Sequence, residues 1–138
     1  NVHGLWNGLG KCDTRDRLKQ SSIIKEFLDT LTLPHILCGD FNLRLDTQSI
    51  ALLEPGRRNL IRDYQITNTR TSLYTKNERF ADYVFTSPNI EVKYFSVLPD
   101  AVSDHAPLYL DFSVEIDQLD ATVATTSSSQ RATLEVLS

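Results

Sequence analysis

Cysteine is scarce in this chain. Cys12 sits in a loop-like region and Cys38 inside an apolar run, too few and too unevenly placed for a disulfide framework or a zinc site, so both read as reduced thiols. No run approaches the roughly twenty apolar residues that a membrane span takes, and no basic-then-apolar signal peptide opens the sequence. The chain starts at Asn1 instead of a methionine and enters at once what reads as the end of a strand. Upstream sequence, and any targeting signal with it, is therefore expected to lie outside this stretch, and a cytoplasmic location is the favoured expectation. Positive charge is not in excess either: 14 Lys and Arg against 18 Asp and Glu leave a formal net charge of -4. That excludes a general polyanion-binding surface, so local Arg and Lys plus a metal would have to offset the phosphates of a nucleic-acid partner. No internal repeat is visible, and no stretch has the glycine-rich pattern of a phosphate-cradling loop.

What remains is a chain of one domain's length, 138 residues of which 41% are hydrophobic, enough to bury a sizeable core. Its organising stretch is Ile36-Leu37-Cys38-Gly39-Asp40-Phe41-Asn42. Three apolar residues make a short buried strand, Gly39 allows close approach of the backbone, and Asp40 and Asn42, two apart, project to one side while Phe41 turns into packing. Taken alone this also reads as a turn after a strand, since Asp and Asn are common turn residues.

Around it the elements alternate. Asn1-Val2-His3-Gly4 closes a strand, with His3 at its end, and Leu5 to Asp13 is loop, with Trp6 anchoring it or lining a pocket. Thr14 to about Leu31 has helical spacing, with Ile24, Phe27, Leu28 and Leu31 as its apolar residues and Asp13 or Thr14 as cap. Arg15, Arg17 and Lys19 crowd the first turns, where positive charge opposes the macrodipole; a solvated face is the default expectation and an anion-facing one the alternative. Thr47 and its neighbours cap a short second helix bearing Ile50, Leu52 and Leu53. Arg57, Arg58 and Arg62 form the most basic cluster, exposed unless they meet a phosphate, and Ile66 to Ser72 reads as either edge strand or loop. Phe80 to Thr86 is a strand with Asp82 inside it, and a carboxylate there needs a partner to offset its desolvation. Glu91 to Leu98 is a further strand, and Ser103-Asp104-His105 leads into Leu108 to Val114, where Leu108, Leu110, Phe112 and Val114 share a face. Residues 1–115 thus form the domain, and 116–138, rich in Ala, Thr and Ser, read as a low-complexity tail without fixed structure.

His3, Asp40 with Asn42, Asp82, and Asp104 with His105 each fall at or within a strand. Carboxylates, an amide and a histidine, without zinc-type cysteines, suit a magnesium-assisted attack of water on a phosphate ester.

Gly39-Asp40-Phe41-Asn42, then Ala81-Asp82-Tyr83-Val84, then Ser103-Asp104-His105 resemble, in order, the late motifs of the endonuclease/exonuclease/phosphatase superfamily, the group of pancreatic deoxyribonuclease, abasic-site endonucleases, sphingomyelinases and inositol phosphatases. The resemblance covers about Asn1 to Val114. It implies an α/β fold, a four-layer α/β/β/α sandwich of the deoxyribonuclease-like type, here incomplete because the N-terminal half is missing. It implies a phosphoesterase that uses Mg2+, or Mn2+, on a phosphodiester or phosphomonoester, as a monomer when complete. Asp40 resembles the carboxylate that positions or deprotonates the attacking water, with Asn42 orienting it. Asp82 resembles the partner of the family histidine, His105, which would contact the scissile phosphate; Asp104, with Asp40 and Asn42, would hold the metal or its waters. His3 falls where the deoxyribonuclease branch has a second histidine, a proton donor to the leaving group. The Asn and the principal metal-binding Glu of the family's N-terminal half have no counterpart here, so the first metal shell is expected to be incomplete and the isolated chain marginally stable or aggregation-prone.

Two other classes compete. A non-catalytic binding or scaffold domain would keep the fold without the missing ligand. A calcineurin-like dimetal phosphoesterase also uses Gly-Asp, but needs a Gly-Asn-His segment and more histidines than the three present. Substrate identity stays open between nucleic acid, phospholipid and inositol phosphate, since specificity resides in loops around a shared site. Trp6, Arg57, Arg58, Arg70 and Tyr74 are the candidates for such contacts.

Overall fold

The structure, a computed structural model, describes residues 1–114 and the backbone of Leu134–Glu135. Its elements in order are β1 (Val2–His3), α1 (Arg15–Asp29), β2 (Ile36–Asp40), α2 (Gln48–Ala51), β3 (Arg58–Asn59), α3 (Leu60–Asp63), β4 (Asp82–Thr86), β5 (Ile90–Val97), β6 (Leu108–Val114) and β7 (Leu134–Glu135). They form two sheets, one ordered β1-β2-β4-β3 and one β5-β6-β7. Apart from the backbone of β7 against β6, the expected tail over 116–138 lies outside the described residues.

In the first sheet β1 runs parallel to β2, and β4 antiparallel to β2. Gly39 makes the parallel pair possible. Its φ of +140° lies in a region that L side chains rarely adopt, and a Cβ there would sit 1.9 Å from the carbonyl oxygen of Val2. Register then sets the chemistry. His3 pairs with Asp40, and Asp40 with Asp82, so three ionisable residues form one row across β1, β2 and β4. Laterally paired residues project from the same face, which puts this row on one side of the sheet.

One core lies beneath both sheets. Phe41, Tyr83 and Phe85 meet edge-on or stacked, and Phe95 of β5 and Leu110 of β6 join the same cluster with Leu37, Ile50, Leu53, Leu60 and Ile61. Tyr64 at the end of α3 packs on Phe95, tying the two sheets together.

Helix α1 departs from the sequence expectation. Thr14 is the cap, as expected, but the buried face is Arg17, Ser21 and Leu28, with Ile24 half-buried, and Phe27 is 63% exposed. Two apolar stripes were available on this helix, and the one that docks contains a buried cation. Arg17, expected on a solvated face, is 1% exposed because two backbone carbonyls accept from its guanidinium. Ile66 to Ser72 forms no strand, and its single ladder contact is a bridge from Arg70 to His105. Asp82 is the first residue of β4, not an interior one. Val114 ends β6 exposed, while Leu110 carries that strand's burial. The basic cluster is committed to ion pairs: Arg57 with Asp29, Arg58 with Asp63, and Arg62 with Glu54.

Candidate active site

At the centre is an imidazole between two carboxylates. His105 Nδ1 lies 2.9 Å from both carboxylate oxygens of Asp82, and Nε2 lies 3.7 Å from Asp40 Oδ2. Loop contacts hold the ring there. Ser103 Oγ accepts the His105 backbone N–H at 3.0 Å, and the Ala106 N–H donates to the Thr69 carbonyl at 3.1 Å. Thr69, fully buried, also accepts from the Ala81 N–H through its hydroxyl, so one residue aligns the loop of His105 with the entry to β4.

Asp82 is buried, and burial pushes its carboxyl above the usual range while the facing His105 pulls it back down; burial is the larger influence. Asn42 follows Asp40 with a φ of +53°, a conformation that Asn tolerates better than most residues. Its backbone N–H donates to Asp40 Oδ1 at 2.8 Å and its side-chain amide donates to the Gly4 carbonyl at 3.3 Å. Gly4 has to be glycine at this contact, since a Cβ would meet the Phe41 carbonyl oxygen at 2.3 Å. The turn that orients Asp40 is thereby locked to the end of β1.

His3, Asp40, Asp82 and His105 line one cavity of about 510 Å3, walled further by Tyr83 and Leu108. Other residues singled out in the sequence stand outside that lining. Asp104 is bonded to Arg70 at 3.1 Å, and the Arg70 guanidinium lies 4.2 Å from the centre of the Tyr74 ring. Trp6 is 52% exposed, with the Arg17 guanidinium 6.0 Å and the Lys76 ammonium 5.9 Å from its ring.

Lys11 went unnoticed in the sequence and belongs to this neighbourhood. It is 3% exposed, donates to the Phe80 carbonyl at 3.0 Å, and shares the Tyr74 ring with Arg70. Burial, and then the Arg70 charge, lower its pKa to about 8, while Asp40, Asp82 and Glu78 act the other way. The only signal for it in the sequence is the Gly10-Lys11 pair in the loop after His3, which periodicity does not weight.

Among the described residues no group of three or more His, Cys, Asp or Glu side chains is placed to hold a metal ion. The oxygens of Asp40, Asn42 and Asp104 are nonetheless of the hard kind that Mg2+ takes, and Mg2+ commonly uses one or two carboxylates and fills its shell with water and substrate phosphate. The donor chemistry fits such an ion, with Asp40 and Asn42 neighbouring in one turn and Asp104 held by Arg70.

With this geometry in hand, likeness to known proteins is specific. The sequence profile described as the Endonuclease/Exonuclease/phosphatase family matches residues 8–105. No match is found among curated proteins. Among solved structures, a mannosyl-6-phosphatase of Bacteroides thetaiotaomicron VPI-5482 is 22% identical with a TM-score of 0.60, over 73% of this chain and 47% of that one. An endonuclease/exonuclease/phosphatase family protein of Bacteroides thetaiotaomicron is 23% identical with a TM-score of 0.58, over 70% and 44%. A functionally unknown conserved protein of Enterococcus faecalis V583 is 24% identical with a TM-score of 0.58, over 72% and 44%. These likenesses show the deoxyribonuclease-like α/β fold. The chain spans less than half the length of each of the three.

Proposed function

This chain belongs to the endonuclease/exonuclease/phosphatase family, and from that premise we propose that it carries the water-directing and phosphate-holding side of a site that hydrolyses a phosphate ester. The observation that carries the reading is the His105 ring, 2.9 Å from Asp82 on one side and 3.7 Å from Asp40 on the other. The near contact fixes the ring. The far one is too long for a hydrogen bond, and an oxygen lying to the side of the Nε2–Oδ2 line can reach both groups from the cavity.

In the proposed reaction Asp40 takes a proton from the attacking water while Asn42 orients that water. The water oxygen forms its bond to phosphorus in line with the bond that breaks, and the leaving oxygen takes a proton from His3, which shares the cavity. His105, acting as an imidazolium with its Nδ1–H given to Asp82, donates from Nε2–H to a non-bridging oxygen as charge builds there. No covalent intermediate is formed. Asp40, Asn42 and Asp104 are the residues that would hold Mg2+, or Mn2+ in its place, and the ion would draw charge off the phosphoryl oxygens.

The test is hydrolysis of a generic phosphodiester and a generic phosphomonoester, on this chain and on a form as long as the matched structures, each with a His105→Ala control. Divalent-dependent turnover that falls by about a hundredfold or more in His105→Ala supports the reading. No turnover by either form with any divalent cation overturns it and moves a non-catalytic binding domain ahead.

A further inference from the structure

The loop between β1 and α1 presents a tryptophan to solvent on an unusually well-fixed base. Arg17 reaches up from α1, its Nε donating to the Leu5 carbonyl at 3.2 Å and its Nη1 to the Cys12 carbonyl at 2.7 Å, so one guanidinium spans both ends of the loop. Gln20 accepts the Leu5 N–H at 3.0 Å, and Asn7 donates to the capping Thr14 hydroxyl at 3.3 Å. No carboxylate pairs directly with Arg17 among the described residues, and its Nη2 is buried without a hydrogen-bond partner. A cation desolvated to this degree is costly, so the loop is held at a cost in stability. What the loop displays is Trp6, its indole more than half exposed, with Arg17 on one contact and Lys76 on another.

Trp6 is also close to the chemistry. Gly4 donates its N–H to the Asp40 carbonyl at 2.6 Å and accepts from the Asn42 amide. Two Cα steps of about 3.8 Å each place the Trp6 backbone within roughly 8 Å of that contact. Lys76 and Tyr74 lie on one short segment, which links the Trp6 contact to that of Tyr74 with Lys11 and Arg70, and Arg70 in turn bridges to His105. An exposed indole face on a pre-ordered loop suits a ring, because the ordering cost has already been met in the fold and a base offers its π face, a sugar its apolar C–H face, to the indole.

We propose that the Trp6 indole is a stacking subsite for the ring of the substrate's organic group, a nucleoside or a sugar carrying the phosphate ester, and that buried Arg17 is its positioning residue. The inference rests on the phosphoesterase reading and names its substrate class. Lys76 gives the same subsite a positive edge toward an anionic ester.

Trp6 is the one tryptophan of the chain, so indole fluorescence excited beyond the absorption of the five tyrosines reports this surface and needs no turnover. The full chain is titrated with adenosine monophosphate, glucose phosphate and glycerol phosphate. The expected result is a fluorescence change that half-saturates at about tenfold lower concentration for at least one ring-bearing ester than for glycerol phosphate, and the tighter of the two rings names the source. Equal half-saturation for all three, or no change with any, overturns the proposal. In turnover assays Trp6→Ala raises KM for the ring-bearing ester about tenfold more than it raises KM for glycerol phosphate, and Trp6→Phe restores most of the difference. Arg17→Lys, whose single ammonium cannot span both carbonyls, erodes the same preference with the circular dichroism unchanged; if that variant fails to fold, Trp6→Ala decides. Ring-selective binding with no hydrolysis by either this chain or the longer form would overturn the phosphoesterase reading and leave the subsite standing, whereas hydrolysis without ring preference would do the reverse.

Discussion

His105 and Asp82 meet through one ring nitrogen and two carboxylate oxygens, each at 2.9 Å, across 23 residues of sequence. Such a contact fixes the ring's orientation and keeps a proton on Nδ1, so that Nε2 is the nitrogen turned toward Asp40.

Asp82→Asn therefore separates catalysis from folding. Asparagine keeps an acceptor for Nδ1 but removes the charge, and turnover is expected to fall by about a hundredfold. Stability behaves differently. Burial raises the Asp82 pKa, so the folded chain holds this proton more tightly than the unfolded one. The residue's contribution is full below the ordinary carboxylate range and declines as pH rises through the folded value. Asp82→Asn removes that decline, and urea midpoints at acidic and neutral pH, compared with those of the parent chain, check the sign.

Gly39→Ala is expected to be among the most disruptive single-methyl changes. Its φ of +140° is strained for any L side chain, and the new Cβ would lie 1.9 Å from Val2 O and 2.9 Å from Val2 C, both backbone atoms that cannot swing aside. Backbone strain of this kind costs about 1–3 kcal/mol, and loss of the β1–β2 pairing adds to it. Urea unfolding measures the loss, and a midpoint equal to the parent's would overturn the account of this pairing.

Asp13 acts at a distance from the site. Its carboxylate accepts the N–H groups of Gln48 and Ser49 at 2.8 and 2.9 Å, together with the Ser49 hydroxyl, and so joins the loop before α1 to the first turn of α2. Burial pushes its pKa up, but these hydrogen bonds, with Arg17 nearby, together hold it below 3.8. Stability from a depressed carboxylate is present above the ordinary value and is lost as pH falls through the folded one. Asp13→Ala should cost about 1 kcal/mol at neutral pH, as lost helix caps do. The difference should shrink as the medium is acidified, which thermal melts at a series of pH values can follow.

Much of the site was legible because its residues lie at strand ends. Asp40, Asn42, Asp82 and His105 each follow or open an apolar run, and the row from His3 to Asp82 needs only the β1-β2-β4 register to form. The buried cations were not legible. Arg17 and Lys11 look like solvated charges in one dimension, and what buries them is carbonyl oxygens supplied by loops, in the case of Lys11 from Phe80, 69 residues away. Phe27 was misread for a related reason: spacing of three and four fits two stripes of α1, and only packing against α2 and the core selects the one with Leu28. The arginines from Arg57 to Arg62 read as exposed unless they met a phosphate; Asp63 and Glu54 lie near Arg58 and Arg62 in sequence, but Asp29, the partner of Arg57, lies 28 residues away and no local pattern points to it.

Lys11 yields a pH signature that tests its burial directly. Its ammonium is desolvated and lies close enough to Arg70 for that charge to act on it, which brings its pKa from 10.5 to about 8. Between those two values the unfolded chain keeps a proton that the folded chain has released, so stability rises with pH across the interval. A buried tyrosine limits the window. Tyr83 donates its hydroxyl to the Leu43 carbonyl at 2.8 Å and is held above its usual range by burial, so the unfolded chain ionises first and stability turns downward above about pH 10. Urea midpoints should therefore climb between about pH 8 and pH 10 and then fall. Lys11→Met, which cannot titrate, should abolish the climb and keep the fall. A climb that persists in Lys11→Met would show that another group supplies it and that the ammonium of Lys11 is not desolvated as its 3% exposure indicates.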